Sequence, residues 1–302
     1  MNKPSVTDWI GAMRLRTLAL AVACILMGSF LAYFYHDFNT WVLVFSLLTT
    51  ICLQVLSNLA NDYGDSIHGA DNADRKGPSR AVQSGRISKK QMKKAIFLFA
   101  GLSVLFGTLL VFLAPISTVA LVVFLGVGLL AIAAAINYTI GKRPYGYRGL
   151  GDIAVFIFFG LIAVLGTFYL HTNHFNWQTI LPATSTGLLA VAVLNVNNIR
   201  DIESDVKAGK RSLAVKWGRR NAVLYHYFLL IMAVALAFVF VSMNFRTISQ
   251  HLFILSVPMF IRNAIAVTQL KDQTELDPFL KQMAISTLVF VLLFGIGHAL
   301  TV

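Results

Sequence analysis

Two short stretches of the chain place oxygen-bearing side chains at helical spacing. In the first, SNLANDYGD, Asn58, Asn61, Asp62 and Asp65 stand three or four residues apart, which sets them on one face of a helix. In the second, NVNNIRDIESD, Asn198, Asp201 and Asp205 repeat the arrangement, with 137 residues separating Asn61 from Asn198. Like charges four residues apart weaken a helix, so each face calls for a compensating cation. Carboxylate and amide oxygens suit a hard ion such as Mg²⁺, which keeps several waters and is commonly shared with phosphate oxygens. Arg75, Lys76, Arg80, Lys142, Arg143, Lys210 and Arg211 fall in these connections or in the one between them. Cations beside metal-binding acids are what an anionic phosphate ligand requires. Matching Asn-led acidic faces, one in each half of the chain, point to a site rather than to solvated loop charge, and suggest two related halves.

The elements that must position these faces are apolar. Of the 302 residues, 57 % are hydrophobic and only 13 % charged, where a soluble domain averages roughly a quarter charged. With a mean hydropathy of +0.71, the chain has too little polar surface to cover a water-soluble globule. Nine apolar runs, at about 17–35, 40–60, 95–114, 117–137, 152–171, 178–198, 221–242, 248–269 and 283–301, approach the roughly 20 residues that a bilayer core about 30 Å thick demands. Backbone in lipid must bond within its own segment, and no alternating strands of the barrel type are present. The fold class that follows is all-α: a polytopic membrane protein of nine transmembrane helices, forming one domain over 1–302. The opening stretch, MNKPSVTDWIGAMRLRTLALAVACILMGSF, lacks a small-residue cleavage site after its apolar part and is expected to be a retained first helix.

Charge supplies the orientation. With the N-terminus in the cytoplasm, 23 of the 25 Lys and Arg residues lie in cytoplasmic segments, an asymmetry that puts the C-terminus outside and both acidic faces on the cytoplasmic side. Topology therefore accounts for the net charge of +12 without a nucleic-acid partner. Cys24 and Cys52 sit inside apolar runs and read as packing residues. P-loop, zinc, G-x-S-x-G and CxxC signatures are absent. A third cytoplasmic connection, NYTIGKRPYGYRGLGDI, is rich in Gly and Pro and reads as a shaped turn. Tyr138 and Lys142 share a helix face there if the preceding helix continues through them. Interfacial anchoring by Tyr138 and Tyr147, and helix capping by Asp152, remain the alternatives to site roles at those positions.

These residues carry a resemblance. Asn61-Asp62-x-x-Asp65 and Asp201-x-x-x-Asp205, with the surrounding LSNLANDYGD, GPSRAVQSG, YTIGKRPYGYRGLGDI and NNIRDIESDVKAGKRSLAV, resemble the two Asp-rich motifs of the UbiA superfamily of intramembrane prenyltransferases, in its menaquinone-pathway variant. The likeness covers nearly the whole chain, including the helix count. It implies a bundle around a central cavity in which Asn61, Asp65, Asp201 and Asp205 hold Mg²⁺ on a polyprenyl diphosphate. Asp62 is left open between metal binding and ligand orientation, and Asp71, six residues after Asp65, departs from the more usual spacing of a third acid. By the same matching, Tyr138 and Lys142 face the diphosphate, and Arg14 or Arg16 lies near the aromatic acceptor. Asn58, Asn198, Arg80, Arg143, Lys210 and Arg211 complete the expected substrate-binding set. The reaction implied joins the prenyl group to 1,4-dihydroxy-2-naphthoate with loss of CO₂ and diphosphate, in a bacterial inner membrane. Other acceptors of the superfamily, 4-hydroxybenzoate or homogentisate, remain the alternative. A transporter would carry ionisable groups near the bilayer midplane rather than at one face. A CDP-alcohol phosphotransferase would carry a D-G-x-x-A-R type motif, which is missing.

Overall fold

The computed structural model describes residues 4–68, 80–270 and 272–302, with the backbone alone for residues 16 and 273. Asp71, Asp74, Arg75 and Lys76 lie outside the described residues. Ser5 starts α1 (Val6–Met13) with a capping box, its hydroxyl accepting from the Asp8 N–H at 3.2 Å while its own N–H donates to Asp8 Oδ2 at 2.9 Å. Arg14, left-handed at φ 48°, ends α1, and the chain bends by 52° into α2 (Leu18–Phe34). The other long elements are α3 (Thr40–His68), α4 (Lys89–Leu113), α5 (Thr118–Asn137), α6 (Gly151–Thr172), α7 (Ile180–Arg200), the short α8 (Ile202–Lys207), α9 (Leu213–Met243), α10 (Val257–Gln269) and α11 (Asp277–Ala299). Among the described residues there is no strand. Among the described residues eight segments are long and apolar enough to cross a bilayer, and the bent pair α1 and α2, counted as one span, makes nine.

Helix ends depart from the apolar runs where polar residues extend a helix. α3 reaches His68 rather than 60; its 29 residues, at about 1.5 Å each, overshoot a ~30 Å core and carry the first acidic face beyond it. α4 begins at Lys89 rather than 95 because Ser88 and Gln91 form a capping box. α9 begins at Leu213, where the Ser212 hydroxyl accepts from the Val215 N–H at 3.4 Å, but Gly218 at φ 75° breaks it, and the segment beyond that break is the apolar run expected from 221. α11 begins with Asp277 and a first-turn proline rather than at 283.

Burial separates the centre from the rim. In α7, 72 % of the apolar window is buried, against none in α5. Small residues make that centre possible: Gly160, in the π-helical middle of α6 (Phe156–Leu165), backs onto Gly187 of α7 so closely that a Cβ on Gly160 would lie 2.7 Å from the Gly187 Cα. Around α7 pack α2, α9 and α11, whose side chains form one core with Met27, Phe168, Phe240, Phe290 and Phe294. A second core joins α1, α3 and α4 through Ala12, Leu56, Leu59, Ile87 and Met92. Phe97, Phe112, Val119 and Val122 are more than half exposed on the outer faces of α4 and α5, the surface that lipid covers.

Candidate active site

A cavity of about 370 Å³ lies between the two cores. Along α7 its wall changes from apolar to polar toward the helix C-terminus, Ala190, Val193 and Leu194 giving way to Asn197, Asn198 and then Asp201, while α3 lines it with Thr50, Leu53, Gln54 and Ser57 before Asn58, Asn61 and Asp65. Leu20, Ala21, Phe158, Phe159 and Ile162 line the apolar end. Asp201 interrupts the helix between α7 and α8, yet the Asp205 N–H donates to its carbonyl at 2.8 Å. The one-turn spacing of the second acidic face therefore survives the break.

The two motifs meet through one side chain. Lys210 Nζ lies 3.2 Å from Asp65 Oδ1 and 3.8 Å from Asp205 Oδ1, so carboxylates from α3 and α8 come within reach of a single cation. Arg80 Nη2 reaches Asp65 Oδ2 at 3.2 Å, and the Tyr147 hydroxyl donates to Asp65 Oδ1 at 2.6 Å. Lys210 also stands over the Tyr147 ring, 4.7 Å from its centroid. Lys210 gets there because left-handed Gly209, at φ 71°, turns the chain back after α8.

The remaining expected residues divide clearly. Asn58 Nδ2 donates to the Met13 carbonyl at 2.9 Å and to Thr17 Oγ1 at 3.0 Å, tying the α1–α2 bend to α3. Asn61 Oδ1 accepts from Thr139 Oγ1 at 3.2 Å. That contact brings α3 so near the end of α5 that a Cβ on Gly64 would sit 2.6 Å from the Thr139 carbonyl oxygen. Arg14, Arg80, Tyr138 and Asn198 line the cavity; the side chain of Arg16 lies outside the described residues. Burial, with the Asp152 carboxylate second, holds the Tyr138 hydroxyl above its ordinary range, and burial pushes Tyr145 up to about 12. Both phenols therefore remain protonated donors at neutral pH.

Four expected residues are placed elsewhere. Asp62 does not line the cavity: it faces the chain after the first acidic segment and accepts from the backbone N–H groups of Ala81 at 3.0 Å and Val82 at 3.2 Å. Lys142 and Arg143 are exposed and absent from the wall. The helix that would have aligned Lys142 with Tyr138 ends at Asn137, and Gly141 at φ 121° turns the chain away. Arg211 is also exposed, with its backbone N–H donating to the Tyr147 carbonyl at 2.9 Å. Two residues outside the expected set take their place at the acids. Tyr147 was legible as a site candidate from its Gly-rich turn, whereas nothing in the local pattern marks Arg200, which is fully buried against Asp201.

Among the described residues no three His, Cys, Asp or Glu side chains come together as a metal cluster. The donors that the cavity collects at its polar end, Asn61, Asp65, Asn198, Asp201 and Asp205, offer oxygen. That set fits Mg²⁺ held by one or two carboxylates and completed by water and phosphate.

The fold and the cavity define a polytopic helical membrane protein with an acid- and amide-lined site at one end of an apolar chamber. Residues 21–293 match the UbiA prenyltransferase family, and the chain belongs to that family. It is 46 % identical to the 1,4-dihydroxy-2-naphthoate octaprenyltransferase of Haemophilus influenzae over 291 residues, covering 96 % of this chain and 94 % of the relative. The Escherichia coli protein of the same description is 42 % identical over 289 residues, with 96 % and 94 % covered. Among solved structures, a UbiA homolog from Archaeoglobus fulgidus bound to GPP and Mg²⁺ superposes with a TM-score of 0.61 at 16 % identity, covering 95 % of this chain and 99 % of that one.

Proposed function

We propose that this protein transfers a polyprenyl group from polyprenyl diphosphate to 1,4-dihydroxy-2-naphthoate in menaquinone biosynthesis, with release of diphosphate and CO₂. The observation that carries the reading is the convergence of Asp65, Asp205, Lys210 and Arg80 at the polar end of an apolar cavity, in a chain whose full-length relatives bear that activity. Asn61, Asp65, Asp201 and Asp205 would hold Mg²⁺, which supplies charge neutralisation to the leaving diphosphate.

The chain's own residues do the rest. Lys210 and Arg80 offer positive charge where negative charge grows as the allylic C–O bond breaks and its electron pair leaves with the diphosphate. Phe158, Phe159 and Ile162 exclude water from the resulting carbocation, and the phenylalanine ring faces favour a cation. Arg14, on the wall beside Thr17, would receive the acceptor carboxylate, a role for which Arg16 is the other candidate. Attack by the ring carbon that bears the carboxylate forms the C–C bond. Loss of CO₂ then returns its electron pair to the ring, so no side chain need remove a proton from that carbon. Purified protein given octaprenyl diphosphate and carboxyl-labelled naphthoate, 4-hydroxybenzoate or homogentisate in turn is expected to form prenylated product and release labelled CO₂ with the naphthoate alone. Preferred turnover of another acceptor would overturn the assignment.

The same reading places the cavity mouth on the cytoplasmic side of a bacterial inner membrane, with the N-terminus inside. A Cys substituted for Phe175, exposed between α6 and α7, is expected to react with a membrane-impermeant maleimide on intact cells, and one at Ser84 is not. The native Cys24 and Cys52 are buried and contribute little background. The reverse pattern would put the site outside.

A further inference from the structure

Behind Asp201 stands a guanidinium that the cavity never meets. Arg200 is 1 % exposed and absent from the cavity wall. Its Nε and Nη2 each donate to one oxygen of Asp201 at 2.8 Å, and Nη2 donates also to Asn197 Oδ1 at 2.9 Å. On the far side Nη1 donates to Asp277 Oδ1 at 2.5 Å. Asp201 and Asn197 line the cavity, whereas Asp277 opens α11, 77 residues from Arg200 and outside both acidic motifs.

A buried guanidinium is tolerated only when paired, and its planar fork fixes the plane of a carboxylate that it grips at both oxygens. The contrast within the site is direct. Asp65 and Asp205 share Lys210, whose side chain is 20 % exposed, a flexible point charge that imposes no such orientation. Asp201 is instead locked from behind, and the lock is anchored in the last helix.

We infer that Arg200 and Asp277 are positioning residues that hold Asp201 in the orientation in which it meets the divalent cation of the diphosphate substrate. The inference rests on the metal reading above, and its test separates the two. Mn²⁺ binding to purified protein, followed by loss of the free-ion electron paramagnetic resonance signal with and without inorganic diphosphate, reads the site independently of turnover. Asp277→Asn is expected to raise the Mn²⁺ concentration for half-saturation by about 10–100-fold, the usual effect of removing a group that orients a metal ligand. Asp277→Asn also leaves the buried guanidinium with one carboxylate partner in place of two and can cost folded yield. The double variant Arg200→Met/Asp277→Met keeps the net charge of the three-residue cluster but takes the guanidinium away from Asp201, a change that by charge alone tightens cation binding, so weakened Mn²⁺ binding in it reports lost geometry. In both variants the KM for the prenyl diphosphate is expected to rise while that for the naphthoate holds. Half-saturation unchanged from wild type in the double variant, even with a lower melting temperature, overturns the inference and leaves the metal reading standing. Failure of the wild-type protein itself to bind Mn²⁺ overturns both.

Discussion

Asp65→Ala is expected to lower kcat by about 10²-fold or more, the scale at which a preorganised electrostatic contact acts in a water-excluded site, while the protein still inserts and purifies as a folded species. Asp65 is 2 % exposed and receives the Arg80 guanidinium, the Lys210 ammonium and the Tyr147 hydroxyl. Its removal takes away a proposed metal ligand and also frees three donors that it holds around the leaving-group site. EDTA should abolish the residual turnover of wild type and variant alike. The neighbouring acid provides the contrast, for Asp62 stands three residues earlier on the same helix and serves the backbone. Asp62→Ala strands the N–H groups of Ala81 and Val82, at about 1–3 kcal/mol for each buried group left unpaired. It should therefore lower the melting temperature in detergent while the folded fraction keeps its kcat. Thermal unfolding together with active-site-normalised turnover distinguishes the two variants. Undiminished kcat in Asp65→Ala, or selective loss of kcat without loss of stability in Asp62→Ala, would reverse the roles assigned here.

The parts of the site that the sequence carries on its own are those built from local interactions. Hydropathy located every span because lipid imposes one requirement on about 20 consecutive residues. It missed helix ends, since the last turns of α3 through Asp62 and Asp65 are polar, and Ser88 and Gln91 begin α4 by hydrogen bonding that hydropathy does not register. The acidic faces were legible because three- and four-residue spacing is a property of the helix itself. Their partners were not, because pairing of Lys210 with Asp65, and of Arg200 with Asp277, joins segments distant in the chain. A cation count can show that positive charge gathers at one membrane face. It cannot choose among Lys142, Arg143, Lys210 and Arg211, for all satisfy the positive-inside tendency equally. Backbone geometry makes that choice: Gly141 at φ 121° carries Lys142 outward, and Gly209 at φ 71° returns Lys210 to the acids.

Lys210 and Lys142 are accordingly expected to separate in a single pair of substitutions. Lys142→Gln should leave kcat and expression close to wild type, because its side chain is exposed and Arg143 and Arg148 continue to mark the loop as cytoplasmic. Lys210→Gln should lower kcat by about 10²-fold, because its ammonium faces charge that develops only as the C–O bond breaks. The direction of the metal response identifies the cause. Lys210 lies within 3.2 Å and 3.8 Å of the Asp65 and Asp205 carboxylates, so its charge competes with any divalent cation bound there. With that charge removed, the two carboxylates lose the cation they share, Asp65 keeping only Arg80, and the Mg²⁺ concentration for half-maximal activity should hold or fall. Loss of a ligand such as Asp65 should raise it. Lys210→Arg keeps the charge in a planar group of different reach and should recover only part of the rate. A wild-type kcat in Lys210→Gln, or an increased Mg²⁺ requirement alongside its loss, would remove Lys210 from the leaving-group site and return it to the role of a counter-ion for the two acids.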